Sequence, residues 1–335
     1  MRIGITFDLK SNSPLKPGQP DDLEEEFDSP VTVEAITAVL RGLGHRVELL
    51  GDGRELLARL LSDPPDFVFN FAEGQGIGRS REARVPGVLE MLGIPFTGSD
   101  PLTLAVTLDK DCAKRLVASA AVLVPHGITF TPEMIQSGLS GYPTVNSASW
   151  RFPVIVKPAW EGSSKGIRGK CVVDTHEEML AAVMAQGRDY RQAILAEEYI
   201  QGDELTVGVI GNDPPRIIGV MRVLPQQIEE RFVYSLEVKR DWRRRVTYEC
   251  PARLPPEQLR AVENAALNAY RILGCRDVAR VDFRMRDGVP YFLEANPLPG
   301  LNPESSDLVL LAKMAGWTYE RLIGGILQAA IERTK

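Results

Sequence analysis

Residues 279–285 and 290–296 are short runs in which apolar and polar residues alternate. They flank Asp287-Gly288, a pair that closes two strands into a β-hairpin. Side chains two residues apart share one face of a strand. Asp282 and Glu294 fall on the same face only if their pairing sum is even, which a three-residue loop at 287–289 gives and a two-residue loop does not. With that register Arg280, Asp282, Glu294 and Asn296 share a polar face, while Val281, Phe283, Leu293 and Ala295 form an apolar layer for a core. Two carboxylates and a carboxamide at this spacing are hard oxygen donors suited to Mg²⁺ (or Mn²⁺) together with nucleotide phosphates. Arg280 beside them is placed to neutralise charge that builds up during transfer.

Asn296-Pro297-Leu298-Pro299-Gly300 then reads as a rigid turn, followed by Ser305-Ser306 and a helical run from Asp307. Such a turn offers backbone N–H groups to an anion beside the cation face. A second glycine-containing element lies upstream. Phe152 to Pro158 reads as a strand ending near Lys157, Glu161-Gly162-Ser163-Ser164-Lys165-Gly166-Ile167 as a loop, and 170–173 as the returning strand. Glycines and hydroxyls let donors close around phosphate oxygens, and the lysine adds a point charge. The loop is not a P-loop, because no G-K-[ST] opens a helix there. Its small polar residues make few packing contacts, so a lid that is mobile without nucleotide and ordered by it is expected.

Elsewhere the chain alternates strands and helices. Residues 2–7, 46–50 and 66–70 read as strands, with helices at 31–43, 53–61 and 82–92, which implies a small parallel sheet covered on both faces. No dinucleotide glycine fingerprint follows the first strand. Thr107 is expected to cap a helix carrying Lys110 and Lys114. Further helices are expected at 255–273, 307–315 and 319–333. With 335 residues the chain has room for two or three domains. A net charge of −6 argues against a nucleic-acid binder working through a basic field. Four scattered cysteines form no disulfide framework or C-x-x-C pair, no apolar run suits a membrane, and Met1-Arg2 leads straight into a strand; a cytoplasmic protein is expected.

R-x-D at 280–282, L-E-A-N at 293–296 and P-G at 299–300 together resemble the end of the ATP-grasp fold, specifically that of the D-alanine–D-alanine ligase family. The resemblance covers nearly the whole chain and is strong from about Gly93 onward. It implies an α/β and α+β architecture, an ATP-grasp fold with an N-terminal Rossmann-like (pre-ATP-grasp) domain. The implied divisions are an N-terminal α/β domain over 1–98, a central lobe with the phosphate lid over 99–197, and a C-terminal lobe with the metal hairpin over 198–335. ATP would lie between the last two.

The resemblance also implies roles. Lys110, Lys157 and the lid residues Glu161, Gly162, Ser163, Ser164 and Gly166 would meet the phosphates. Glu197 and the backbone of Glu198 and Ile200 would bind adenine, offered at a strand edge, and Glu204 the ribose. Asp282, Glu294 and Asn296 would hold the metal. Lys239, in a segment from Tyr234 that resembles the family's flexible loop, would reach the transferred phosphate. Arg280 and the Gly300 N–H would stabilise an oxyanion, and Ser305 would position the acceptor carboxylate. The implied reaction is ADP-forming ligation: the γ-phosphoryl passes to a substrate carboxylate, and an amine displaces phosphate from the acylphosphate. A homodimer joined through the N-terminal domain is implied as well. The alternatives are an ATP-grasp ligase for another amino acid or an acidic substrate, and a nucleotide-binding regulatory protein without catalysis. The full set of phosphate and metal residues argues against the last.

Three departures from the family pattern bear on the substrate. After the first strand stand Asp8-Leu9-Lys10-Ser11 and a long acidic loop that includes Asp21 to Glu26; Glu73-Gly74 leads to Arg79, Arg81 and Glu82 where the family has a histidine-glycine run followed by glutamate-aspartate; and Arg240 replaces a tyrosine. An unpaired guanidinium in a pocket seeks a carboxylate or phosphate. The expectation is therefore a substrate larger or more acidic than alanine near Glu73, Arg79, Arg81 and Arg240, with D-alanine used poorly.

Overall fold

The computed structural model describes residues 1–11, 20–139, 150–169, 171–227 and 229–335. In the first part β1 (Arg2–Thr6), α1 (Pro30–Gly42), β2 (Arg46–Leu49), α2 (Gly53–Ser62), β3 (Phe67–Asn70) and α3 (Arg84–Met91) alternate as the sequence predicts. β1 lies between β2 and β3 and is parallel to both. One face of this sheet buries Ile3 and Ile5 with Ile36 and Leu40 of α1, and the other face buries Val68 with Leu56, Leu60 and Leu89. Gly44, at φ +86°, ends α1, as a C-terminal glycine should.

α4 (Pro101–Leu108) and α5 (Lys110–Ser119) follow, and the break between them is not where the sequence reading put it. Thr107 caps nothing: it sits in the last turn of α4 and donates its hydroxyl to the Thr103 carbonyl at 2.8 Å. Asp109 is the cap of α5, accepting from the Asp111 and Cys112 N–H groups at 3.0 Å each. An extended Asp109 between two helices brings its short carboxylate over the free N–H groups, which a threonine inside a helix cannot do. Lys110 thus becomes the first residue of α5.

Next come β4 (Gly127–Phe130), α6 (Pro132–Gln136), β5 (Val154–Pro158), β6 (Val172–Val173), α7 (His176–Tyr190) and β7 (Ile194–Glu198). They form an antiparallel sheet of order β4-β7-β5-β6, with α7 burying Met179 and Val183 against Val154, Val156 and Ile194. β7 is an interior strand and not the sheet edge expected around Glu197.

The remaining elements are β8 (Asp203–Ile210), β9 (Arg216–Pro225), α8 (Leu236–Arg240), α9 (Trp242–Arg245), β10 (Val246–Glu249), α10 (Pro256–Ile272), β11 (Val278–Arg286), β12 (Val289–Asn296), α11 (Asp307–Met314) and α12 (Tyr319–Arg333). Their sheet runs β10-β9-β8-β11-β12. The segment compared with a flexible loop forms α8, capped by Ser235. α10 buries Val262, Ala266 and Tyr270 against Val281, Phe283 and Ala295, while α12 reaches back to the core under Ile3 and Ile5. No helix among the described residues is long and apolar enough to cross a membrane.

The β11–β12 hairpin reaches the expected register by an unexpected route. Its turn has two residues, Asp287 and Gly288 at φ +52° and +78°, so Arg286 pairs with Val289 and Phe283 with Phe292. Beyond a β-bulge the pairing shifts by one, and Asp282 faces Glu294 while Arg280 faces Asn296. Leu293 is the extra residue. It turns toward the cleft, and Phe292 takes the expected place of Leu293 in the apolar layer, edge-on to Phe283 with 6.0 Å between ring centroids.

Candidate active site

The polar face of the hairpin is sheltered and crowded with charge. Arg280 lies 2.9 Å from Asp282, 3.7 Å from Glu294 and 3.7 Å from Asp307. Thr206, on the neighbouring β8, donates to Asp282 at 3.0 Å. Burial would raise the Glu294 carboxyl, but Lys110, Arg280, Lys157 and Lys239 hold it well below the usual carboxylate range. Asp282 moves the other way: burial raises it, Arg280 opposes and the Glu294 charge adds to the rise.

Two facing carboxylates, one raising the other, are a donor set that a divalent cation would relieve, and their all-oxygen chemistry fits Mg²⁺. Asn296 directs its amide nitrogen at Asp282 and Glu294, 3.2 and 3.4 Å away. A half-turn of that amide would present its oxygen instead. The described residues contain no cluster of three or more His, Cys, Asp or Glu side chains able to hold a metal by themselves, so phosphate oxygens would have to complete the shell.

Facing this hairpin is a cleft lined among others by Lys110, Lys157, Ser164, Glu204 and Lys239. Lys110 is 3.2 Å from Glu294 and also donates to the Glu161 carbonyl. Lys239 lies 5.0 Å over the Tyr234 ring, whose hydroxyl donates to Asp307 at 3.0 Å. Lys110, Lys157 and Lys239 therefore border one space with the two hairpin carboxylates.

At the far end Glu197 is committed to protein partners. Its carboxylate lies 2.7 Å from Lys157 and also pairs with Lys114. Burial pushes Lys114 down to about 8 despite Glu197, whereas at Lys157 burial is outweighed by the charge and hydrogen bond of Glu197 together with the charges of Glu294 and Glu204, and the pKa rises. Glu198 pairs with Arg286 at 2.6 Å, and its N–H is bonded to the His126 carbonyl. Ile200 is buried against the cavity wall, and Glu204, raised by burial, is 3.2 Å from Arg284. Lys114 and Arg284 carried no motif signal; their carboxylate partners are more than 70 residues away in sequence.

The lid is not short of contacts, contrary to the sequence reading. Asp22 accepts from the Gly166 N–H at 3.0 Å, Arg168 at 3.2 Å and the Tyr190 hydroxyl at 2.8 Å. Glu26 accepts from the Gly162 N–H and lies 2.6 Å from Arg81 and 3.4 Å from Lys165. Glu161 joins the same cluster while still lining the cavity, accepting from Lys165 at 2.5 Å and Gln192 at 2.6 Å. Ser163 borders two neighbouring cavities, and Ser164 donates to the Tyr234 carbonyl at 3.0 Å.

The expectation of free arginines for an anionic substrate fails, because each arginine already has carboxylate partners. Arg79 is bonded to Asp109 at 2.5 Å on the outside of α5. Arg81, 1% exposed, is held by Glu26 and Glu161. Arg240 lies 3.0 Å from Asp21 and 2.7 Å from Glu25. Two acids, Glu73 and Glu82, line the cavity beside Gly300, Asn296 and Lys110, both with raised pKa values caused first by burial, Glu82 up to about 8. Gly300 stands at the mouth near Arg280, and Ser305 is exposed there, its hydroxyl donating to Asn302 at 3.1 Å.

The family model described as "D-ala D-ala ligase C-terminus" matches residues 116–328. The D-alanine–D-alanine ligase of Moorella thermoacetica is 31% identical over 303 residues, covering 89% of this chain and 93% of that protein. The D-alanine–D-alanine ligase of Aquifex aeolicus is 33% identical over 299 residues, covering 88% and 93%. The crystal structure of the Bacillus anthracis D-alanine–D-alanine ligase complexed with ATP superposes with a TM-score of 0.73 over 99% of this chain and 98% of that one, at 23% identity, and shows the same fold.

Proposed function

Since this chain belongs to the D-alanine–D-alanine ligase family and is an ATP-dependent ligase, we propose that it joins two small amino acids, D-alanine first among them, through an acylphosphate. One observation supports the reading above others: Lys110, Lys157 and Lys239 border the same cavity as Asp282 and Glu294. That is what phosphoryl transfer needs, cations spread along the phosphates and carboxylates for a divalent ion.

In this reading the three lysines clamp the phosphates, with Lys239 nearest the transferred group. Asp282, Glu294 and the turned amide of Asn296 hold Mg²⁺, which screens the phosphate charge. The first substrate's carboxylate attacks the γ-phosphorus, ADP leaves, and the second substrate's amine displaces phosphate to form the amide. Arg280 and the Gly300 N–H face the oxyanion of that second step. Ile200 and the backbone beside it border adenine, Glu204 the ribose, and Ser305 the acceptor carboxylate. Glu197 serves the nucleotide indirectly, by fixing Lys157 and Lys114. The paired state of Arg79, Arg81 and Arg240 removes the reason for preferring an acidic substrate, and the acids Glu73 and Glu82 suit the ammonium end of an amino acid. We further propose the three-part division at residues 98 and 197, a homodimer through the N-terminal part, and action in the cytoplasm.

ADP release in the presence of Mg²⁺ and a panel of D- and L-amino acids tests the reading. D-Alanine is expected to support turnover with formation of the dipeptide. ATP binding without ADP release for any amino acid would overturn ligation.

A further inference from the structure

The acidic run from Asp21 to Glu26 reaches across to both elements that face the phosphates. We propose that Asp22 and Glu26 are positioning residues that hold the loop 162–166 closed from the N-terminal side, while Asp21 and Glu25 tie the Lys239 helix to the same segment. The inference rests on the ATP-dependent reading above and adds to it a means of setting the lid without nucleotide.

Both ends of the loop are engaged. Glu26 accepts from the Gly162 N–H and Asp22 from the Gly166 N–H at 3.0 Å, so two backbone donors at the ends of the glycine-serine turn point at protein carboxylates. Asp22 is fully buried and the Glu26 side chain is 4% exposed. Buried charges persist only when paired, and these are: Arg168 and the Tyr190 hydroxyl meet Asp22, while Arg81 and Lys165 meet Glu26.

The loop itself is held in a costly shape. Ser163, Ser164 and Gly166 have φ of +49°, +59° and +74°, and two successive serines in the left-handed region need surroundings that fix them. Space is tight as well, since a Cβ on Gly166 would lie 2.4 Å from Pro158 Cγ. The acidic segment supplies those surroundings while Ser163 and Ser164 stay on the cavity walls.

The same segment reaches α8. Arg240, the residue after Lys239, is bonded to Asp21 and Glu25. α8 and the lid also meet directly, through the Leu236 N–H to the Ile167 carbonyl at 3.1 Å. Lid, Lys239 helix and acidic segment thus form one hydrogen-bonded unit above the cavity, and a lysine set by Arg240 needs less ordering when ATP arrives.

The test uses the full chain with Asp22→Asn, Glu26→Gln, the double variant, and Asp22→Glu as the charge-preserving control. Three quantities are read: hydrogen exchange of amides 162–167 without nucleotide, ATP affinity with Mg²⁺ by titration calorimetry, and kcat and KM from ADP release. Each neutral variant is expected to speed lid exchange and to raise KM for ATP about tenfold, the scale of losing a hydrogen bond to a charged group, with a smaller change in kcat. Asp22→Glu is expected to restore part of both. If the Glu26 variants do not fold, Arg168→Gln, which loosens Asp22 from the rim, is expected to give the same pattern in smaller measure. Folded neutral variants with unchanged exchange and unchanged KM overturn the proposal. Tighter ATP binding also overturns it, since the segment would then be competing with phosphate. If the unaltered protein binds no ATP, the ligase reading fails and lid exchange alone decides the positioning role.

Discussion

Asp282 and Glu294 face each other across β11 and β12, and a single guanidinium, Arg280, stands 2.9 Å from one and 3.7 Å from the other. A divalent ion here would bind two carboxylates already fixed by the strands, and would do so without reshaping the hairpin. Asp282→Asn and Glu294→Gln are each expected to lower Mg²⁺-dependent ADP release by about 100-fold or more, the scale of removing one electrostatic contact to charge in transfer. Circular dichroism should stay that of the parent. Ordinary turnover in both variants at ordinary Mg²⁺ would remove the metal site.

Arg79 and Arg81 are two residues apart and should behave in opposite ways. Arg81→Gln leaves Glu26 and Glu161 buried without their cation, and a loss of about 3–5 kcal/mol is expected from urea denaturation. Arg79→Ala removes a partly exposed contact to Asp109, and a change within about 0.5 kcal/mol is expected. Amino-acid preference should be the same before and after Arg79→Ala; a shift in preference would return Arg79 to the substrate.

Glu197→Gln isolates two buried ammonium groups at once. Lys114 and Lys157 both rely on this carboxylate, so the variant is expected to lose about 3–5 kcal/mol of stability. ATP affinity should fall along with it, because Lys157, placed on the phosphates, is no longer oriented. A variant as stable as the parent in urea would show that the lysines find other partners.

Glu82 gives the protein a pH dependence with a definite sign. Burial, opposed by Arg81 and reinforced by Glu26, pushes its pKa up to about 8 from the ordinary carboxylate value of 4.5. Between those values the folded state keeps a proton that the unfolded state has lost, so stability falls as pH rises through this window. Asp28, pushed up to about 7 mainly by burial, acts in the same direction. Each pKa unit corresponds to about 1.4 kcal/mol. Glu82→Gln is expected to raise Tm more at about pH 8 than at about pH 5. Equal gains at the two pH values would contradict the buried, protonated carboxyl.

Local pattern carried the elements well because helix and strand periods are local properties: α1, α10 and α12 fall within a residue or two of their expected ranges. The face shared by Asp282 and Glu294 was also legible, although for the wrong reason. A two-residue turn combined with a bulge at Leu293 gives the same parity as a three-residue turn alone, and hydrophobicity does not tell Phe292 from Leu293 as the inward residue. Thr107 was misplaced because a capping residue is recognised by its neighbours, and Asp109 only two residues on was the better acceptor. The arginines misled for a different reason. Whether a guanidinium is free depends on partners such as Glu26, 55 residues from Arg81, and no short window contains both.

The N-terminal sheet and the helix at 319–333 share one core, with Ile3, Ile5 and Phe69 in the same cluster as Leu322, Ile323 and Ile326. Arg333 secures the join by donating to the carbonyls of Phe96 and Gly98 and pairing with Asp277. On the ribosome this has an order-of-events consequence. β1 to β3 and α1 emerge early, but the apolar residues they share with α12 are covered completely only after almost everything else has been translated. The nascent chain therefore carries an incompletely covered apolar core through most of its synthesis, a surface a chaperone could hold.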